Sequence, residues 1–193
     1  MRDWFNGKTK PCQGLVTSSI LVSRSSKGAT MKKINIAEVT KFIADQSPET
    51  KVYLGADSER YRRNGKWYAD YTLAIVVHID GCHGCKIFGE VQTEVDFDAK
   101  AGKPSMRLMN EVYKIAELYH KLVDADVIGK KEVEIHLDIN PKECYNSSIV
   151  IQQAVGYIKG MCNVVPMVKP NAFAASYAAD RLKEVMAMAA LAA

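Results

Sequence analysis

Four acidic residues are spaced so that an α/β fold could bring their side chains together. Asp57 follows the apolar run Tyr-Leu-Gly-Ala, and Asp138 lies in the segment Ile-His-Leu-Asp-Ile-Asn. Glu111 and Asp180 each lie about two turns or more inside a predicted helix. Clustered carboxylates repel one another unless cations neutralise them, and their hard oxygen atoms suit Mg²⁺ or Mn²⁺. We therefore predict that the four acids hold a pair of divalent ions, an arrangement that can promote phosphodiester hydrolysis.

Each acid taken alone also has an ordinary explanation. Asp138 could be one more solvent-facing acid of its strand, Glu111 a surface glutamate of its helix, and Asp180 the partner of a neighbouring basic residue. Asp57 is the most suggestive of the four, because Gly, Asp and Ser at the end of a strand seldom serve packing. The prediction of a metal site therefore depends on the conjunction of the four positions.

The elements that must position these acids follow from apolar periodicity and turn signals. Asn35 and Glu38 indicate a helix start, and Asn64-Gly65 is a strong two-residue hairpin signal. Strands are predicted at 51–56, 67–79, 86–97, 132–139 and 164–168, and helices at 36–46, 105–123, 147–159 and from 170 onward.

Three hairpin-linked strands followed by alternating helices and strands indicate an α/β fold with a mixed five-stranded sheet and helices on both faces. A right-handed helical crossover places the fourth strand beside the first, which gives the order 3-2-1-4-5 with only strand 2 antiparallel. Asp57 and Asp138 would then stand side by side at the carboxyl ends of adjacent parallel strands, where open sheets present their sites. Small residues around Ala174 would let the last helix approach the sheet closely.

Several polar residues near the acids are further candidates. Ser58, His136 and Asn140 could support the acids, and Lys169 could reach a phosphate. The hairpin after Asp57 interleaves aromatic residues with four cations that could bind phosphates of nucleic acid, namely Arg60, Arg62, Arg63 and Lys66. The alternative is that this hairpin is only a solvated tip and that His136 is an ordinary structural histidine.

Composition indicates one globular domain with a basic N-terminal end. The 193 residues are 48% hydrophobic and 25% charged with a net charge of +4, which excludes wholesale disorder. Residues 1–33 contain seven basic residues and one acidic residue, so we predict a basic N-terminal arm that contacts a polyanion or is a solvated tail. The compact domain is expected at 34–185, and an Ala- and Met-rich tail at 186–193.

The chain shows no membrane or secretion signal. Its longest apolar run, around residues 72–79, is far shorter than the roughly 18 residues of a membrane span. Five scattered cysteines fit reduced thiols, so we expect a cytoplasmic protein with no membrane partner. Cys82 and Cys85 could form half of a zinc site, but no second pair has matching spacing, and no structural zinc is expected.

The motifs around the acids resemble the ribonuclease H-like superfamily, and specifically the YkuK family of predicted RNase H-like nucleases. The resemblance covers about residues 34–185 and departs from the family's pattern at Ala56, where Thr is expected, and at Glu59, where Gln is expected. It is carried by four segments: Gly55-Ala56-Asp57-Ser58, Arg107 with Glu111 and Val112, residues 136–140, and Lys169-Pro170 with residues 174–181.

This resemblance implies that Asp57, Glu111, Asp138 and Asp180 bind Mg²⁺ or Mn²⁺ in a nuclease. The alternatives are a non-catalytic nucleic-acid-binding module with the same fold and, more distantly, an actin-like ATPase. The latter would require a second phosphate-binding hairpin and a Gly-rich adenosine turn, neither of which the sequence provides.

Overall fold

The computed structural model describes residues 33–81, 83–98, 103–127 and 131–182. The predicted C-terminal tail, Cys82 and all of the predicted basic arm except Lys33 lie outside the described residues. The elements are α1 (Ile36–Ala44), β1 (Lys51–Arg63), β2 (Lys66–His78), β3 (Cys85–Val95), α2 (Ser105–Asp124), β4 (Glu132–Leu137), α3 (Ile151–Cys162) and β5 (Met167–Val168). A last helical segment, here called the alanine-rich helix, spans residues 173–182 and is π-helical at Ala174–Ala178.

The five strands form one mixed sheet in the order β3-β2-β1-β4-β5. β2 runs antiparallel to both β1 and β3, whereas β1 and β4 are parallel, as are β4 and β5. The predicted α/β architecture and strand order are therefore confirmed. No helix among the described residues is long and apolar enough to cross a membrane.

The first strand of the β1–β2 hairpin is much longer than the sequence predicted. Asn64 and Gly65 have φ angles of 49° and 77°, the left-handed conformations that a two-residue hairpin turn of type I′ requires. We expected β1 to end at Ala56 because polar and charged residues follow it. Pairing with β2 instead continues to Arg63 opposite Lys66, so Asp57 lies inside the strand.

Other element boundaries also differ from the sequence prediction. β4 ends at Leu137 rather than Ile139, although the Lys169 backbone N–H still donates to the Ile139 carbonyl at 3.1 Å. β5 is reduced to two residues, Met167–Val168, and Asn163, in a left-handed conformation, ends α3 four residues before it. The predicted start of α1 is confirmed, since the Asn35 side chain accepts a hydrogen bond from the Glu38 backbone N–H at 3.3 Å.

The sheet separates two hydrophobic layers. One face, which includes Val52, Leu54 and Ala56 of β1, packs against α1, α2 and α3. The opposite face, which includes Tyr53 of β1, packs against the alanine-rich helix. Because side chains alternate along a strand, Asp57 belongs to the face of the alanine-rich helix, and Ser58 to the face of α2.

The alanine-rich helix crosses the sheet along a row of small residues. Gly55, Ala74 and Gly89 are paired directly across β1, β2 and β3. A Cβ atom on Gly55 would lie 2.5 Å from the backbone of Ala174, and one on Gly89 would lie 2.2 Å from a methyl carbon of Leu182. The helix therefore spans three strands, and its approach at both ends depends on glycine.

Candidate active site

Asp57 and Asp138 occupy neighbouring positions on two parallel strands. The last matched pair of β1 and β4 is Ala56 opposite Leu137, and each acid is the next residue along its chain. Asp57 is half-buried, and the Asp138 side chain is 18% exposed. The two carboxylates thus lie at the carboxyl end of this strand pair, the usual location of sites in open α/β sheets.

Asp138 is held by a hydroxyl and an ammonium group. The Ser176 hydroxyl donates to Asp138 Oδ1 at 2.8 Å, and Lys169 Nζ lies 2.8 Å from Oδ1 and 3.0 Å from Oδ2. Burial acts to lower the pKa of Lys169, but the hydrogen bond and charge of Asp138, with the charges of Asp57 and Glu111, raise this pKa above its usual value. Lys169 is therefore the cation that pairs with Asp138.

Glu111 approaches from the face of the sheet covered by α2. The residue is 3% exposed, its carboxylate accepts a hydrogen bond from the Ser58 hydroxyl, and Arg107 Nη1 lies 3.8 Å away. Burial raises the pKa of Glu111 well above its usual value; the Ser58 hydrogen bond and Arg107 oppose this shift, and the charges of Asp57 and Asp138 add to it. Three of the four predicted acids therefore lie within electrostatic reach of one another.

Asp180 is placed differently. It is solvent-exposed and follows Ser176 by four residues in the alanine-rich helix. Within the described ranges, no three His, Cys, Asp or Glu side chains are arranged so that they could hold one metal ion. The carboxylates of Asp138 and Glu111 have partners within the protein: Lys169 and Ser176 bind the first, and Ser58 and Arg107 bind or face the second.

The three predicted supporting residues have separate positions. Ser58 lies between Glu111 and Arg107, whose Nη1 donates to the Ser58 carbonyl at 2.6 Å. Asn140 organises the turn after β4, since its backbone N–H donates to the Ser147 hydroxyl at 3.0 Å. Neither of these contacts was specified by the sequence.

His136 anchors the alanine-rich helix. It is 1% exposed, and its Nδ1 accepts a hydrogen bond from the Ala174 backbone N–H at 3.1 Å. Its ring packs against Tyr53 and Phe173 at centroid distances of 5.2 and 4.8 Å. Burial lowers the pKa of His136, although Glu134 opposes the shift, which favours the neutral ring. Because Nδ1 accepts the Ala174 hydrogen bond, the neutral ring carries its proton on Nε2.

The predicted phosphate-binding cations divide into two groups. Arg60 is engaged within the protein: its Nε lies 2.5 Å from Asp96 Oδ2, and its Nη2 donates to the Asp98 carbonyl at 2.7 Å. Arg62, Arg63 and Lys66 are exposed at the end of the hairpin and form no ion pair with a described residue.

Three residues beside the acids received no supporting role in the sequence prediction. Ser176 stood out only as a small residue, although it is the polar exception in an alanine run. Arg107 precedes Glu111 by one helical turn, which is a usable signal for an ion pair. Thr72 is paired with Asp57 and fully buried, and its hydroxyl has no hydrogen-bond partner among the described residues. No sequence pattern indicated Thr72.

Comparisons with known proteins agree with the architecture. A family model described as ribonuclease H-like matches residues 34–184, a range that contains every strand and helix described above. Searches of curated proteins and of solved structures returned no match. With a match over most of its length and the predicted strand order, the chain belongs to the ribonuclease H-like family.

Proposed function

We propose that this protein is a nuclease that hydrolyses phosphodiester bonds of nucleic acid with bound Mg²⁺ or Mn²⁺, as a member of the YkuK group within its family. One observation carries the proposal: Asp57 and Asp138 follow the last matched pair of two parallel strands, and both raise the pKa of the buried Glu111. A protein that gathers three carboxylates at the end of its sheet incurs electrostatic repulsion, which a divalent ion would relieve.

The residues present fit such an ion in their chemistry. All the candidate ligands are hard oxygen donors, and the buried Thr72 hydroxyl opposite Asp57 lacks a hydrogen-bond partner among the described residues. Asp57, Glu111 and Asp138 would hold the ions after their side chains turn from the arrangement described above, in which no three of the described acids surround one point, and Asp180 would complete the coordination. Bound there, Mg²⁺ or Mn²⁺ would stabilise charge on the phosphoryl oxygens and lower the pKa of a water molecule.

The other residues of the site have positioning roles in this proposal. Ser176 orients Asp138, while Ser58 and Arg107 orient Glu111. Lys169 would bind a phosphate oxygen of the substrate and so leave Asp138 available to hold an ion. A cation at this position would bind the phosphate as a point charge.

A non-catalytic nucleic-acid-binding module is the second candidate. The observation in its favour is that two of the acids are already compensated within the protein, Asp138 by Lys169 and Glu111 by Arg107. Carboxylates compensated in this way can serve structure alone. In that case the protein would bind nucleic acid through its exposed cations and would not cleave it.

Cleavage assays distinguish the two candidates. Labelled RNA, DNA, hybrid and branched substrates are incubated with the full chain in Mg²⁺ or Mn²⁺, with Asp138→Asn as the test variant and the exposed Asp124→Asn as the matched control. Loss of about 3–4 kcal/mol of transition-state stabilisation would slow cleavage about 150- to 900-fold in Asp138→Asn, with little change in Asp124→Asn. Undiminished activity of folded Asp138→Asn would remove this residue from the mechanism. A wild-type protein that binds but cleaves no substrate would favour the binding module.

A further inference from the structure

The end of the β1–β2 hairpin combines exposed aromatic residues with uncompensated positive charge. Residues 60–68 include four basic residues and no acidic residue. Trp67 is 41% exposed and Phe97, just after β3, is 77% exposed. We call the set Arg62, Arg63, Lys66, Trp67 and Phe97 the hairpin surface. Large apolar side chains exposed beside a site are typical of a surface that binds a partner.

A partly buried network holds Trp67 in place. The Arg60 guanidinium lies 4.2 Å from the centre of the Trp67 ring and is fixed by its ion pair with Asp96. The Asp96 backbone N–H donates to the Trp67 carbonyl at 3.0 Å, and Phe97 is the next residue along that backbone. Arg60, which the sequence suggested as a phosphate ligand, therefore supports the surface. An aromatic residue held in this way loses little conformational entropy when a ligand stacks on it.

The acids near the hairpin end are fewer than its exposed cations once Glu94 is paired. Asp70 accepts hydrogen bonds from the Tyr61 and Thr93 hydroxyls at 3.4 and 2.5 Å and keeps its negative charge. Glu94 pairs with Lys114, and the Asn110 amide donates to it at 2.7 Å. The exposed cations Arg62, Arg63 and Lys66 thus remain to attract a polyanion.

We propose that the hairpin surface binds unpaired bases of a nucleic-acid strand. The substrate class is then a nucleic acid that is single-stranded beside the scissile bond. Arg62 lies five positions after Asp57 on β1, about 17 Å along an extended strand. Arg62 and Trp67 are paired and belong to the α2 face, opposite to that of Asp57, so a strand at the acids reaches them by crossing the edge that β1 presents beyond Ala56. Aromatic side chains stack on any unpaired base, whereas the bases of a duplex already stack on one another. The inference depends on the proposed function only for the cleavage that follows binding.

Binding assays without cleavage test the inference. The full chain in EDTA is titrated into a labelled oligothymidine and into a hairpin duplex with the same number of phosphates. Trp67→Ala and Phe97→Ala should each weaken single-strand binding roughly 5- to 150-fold, the range expected for loss of one stacked base, and change duplex binding less than twofold. Trp67→Phe should restore most of the affinity. Tyr113→Ala removes another exposed aromatic residue, on α2, and should have no effect.

Salt dependence separates stacking from charge. Replacing Trp67 should leave the slope of log affinity against log salt unchanged, because stacking releases no counterions. Replacing Arg62 and Arg63 together should reduce the slope for single strand and duplex alike. A fluorescent 2-aminopurine in the strand should be quenched by the wild type and less quenched by Trp67→Ala.

Two results would overturn the inference. One is equal weakening of single-strand and duplex binding, or no weakening, in Trp67→Ala and Phe97→Ala proteins whose melting temperatures match the wild type. The other is a wild-type dimer in sedimentation that these substitutions dissociate, which would assign the surface to a second copy of the chain. Failure of the nuclease proposal is distinguishable, since it would leave single-strand preference intact and abolish only cleavage in Mg²⁺.

Discussion

Gly55 lies directly opposite His136 in the parallel pair of β1 and β4, and both residues contact Ala174 of the alanine-rich helix. Gly55 gives the helix backbone room, and His136 accepts a hydrogen bond from the Ala174 amide. Two residues later, Ser176 donates to Asp138. The geometry of Asp138 therefore depends on a packing contact and a hydrogen bond on the same sheet face.

Gly55→Ala should destabilise the protein and weaken the site. Its methyl group would lie 2.5 Å from the backbone of Ala174 and Ala175, which can move only if the whole helix shifts. Overpacking of this kind costs about 1–3 kcal/mol of unfolding free energy, measurable by urea denaturation. Gly156→Ala on α3 is the control: nothing lies within 4 Å of its Cβ, and higher helix propensity should stabilise it by about 0.5–1 kcal/mol. Equal stability of Gly55→Ala and wild type would contradict this account of the packing.

The contribution of two histidines to stability should fall as the solution is acidified below about pH 6.5, while the raised pKa of Glu111 acts in the opposite direction, so the comparison of wild type with His78→Gln isolates the histidine effect. Burial lowers the pKa of His78, helped by the charge of Lys51, and burial likewise lowers the pKa of His136. The unfolded chain then binds protons more readily than the folded one, so the free energy of unfolding decreases as pH falls through the unfolded value toward the folded one. Thermal melts from pH 8 to pH 5 measure the slope, and His78→Gln should reduce it. A slope that His78→Gln leaves unchanged would argue against a role for His78.

Divalent ions should stabilise the wild type. An ion that binds only the native state adds about 2.7 kcal/mol at a hundredfold excess over its dissociation constant. Melting with Mn²⁺ and with EDTA should show this gain in wild type and in Asp124→Asn, and a smaller gain in Asp57→Asn. The same gain in all three proteins would place the bound ion elsewhere.

Lys169→Met should make the response to metal larger. Lys169 and a divalent ion compete for Asp138, so removing the ammonium group lowers the stability in EDTA and increases the gain from Mn²⁺. Ser176→Ala, which removes a neutral donor from the same carboxylate, should not increase the gain. If Lys169→Met responds to Mn²⁺ less than wild type does, the ammonium supports the ion instead of competing with it.

Deletion of residues 1–30 should weaken nucleic-acid binding. This segment contributes five basic residues and one acidic residue, and phosphate contacts release counterions, so the truncated protein should show a shallower salt slope. Cleavage at saturating substrate should persist, because the acids lie outside the deleted segment. An unchanged slope would show that the arm takes no part in binding.

The strand order could be predicted because local signals were consistent with it. The Asn64-Gly65 turn and the apolar runs on either side specify the hairpin, and the alternation of helix and strand after Gly102 specifies the crossovers. The partners of Arg60 could not be predicted, because Asp96 and Asp98 approach it only through the register of β3 and the loop after it. Long-range side-chain contacts of this kind depend on tertiary packing, which local sequence does not encode.

Some positions in the candidate site could likewise be predicted from the sequence, and others could not. Asp57 and Asp138 were predictable as neighbours, since matched positions on parallel strands follow from topology. The contact of Ser58 with Glu111 was not, because it requires the rotation of α2 about its axis to be known. The exposed position of Asp180 also depends on the π-helical turn before it, which rotates the later residues relative to an ordinary α-helix.

Because β1 is longer than β4, only the first half of β1 has a paired strand on both sides among the described residues. Up to Ala56 it is an interior strand, and beyond that residue it is paired with a described strand only on the β2 side. Its second half is thus an edge among the described strands, and an edge can pair with a strand of another molecule and begin aggregation. Glu59, Arg62 and Arg63 are exposed along this half, and charges on an edge oppose such pairing. The charged hairpin therefore also protects the protein from self-association.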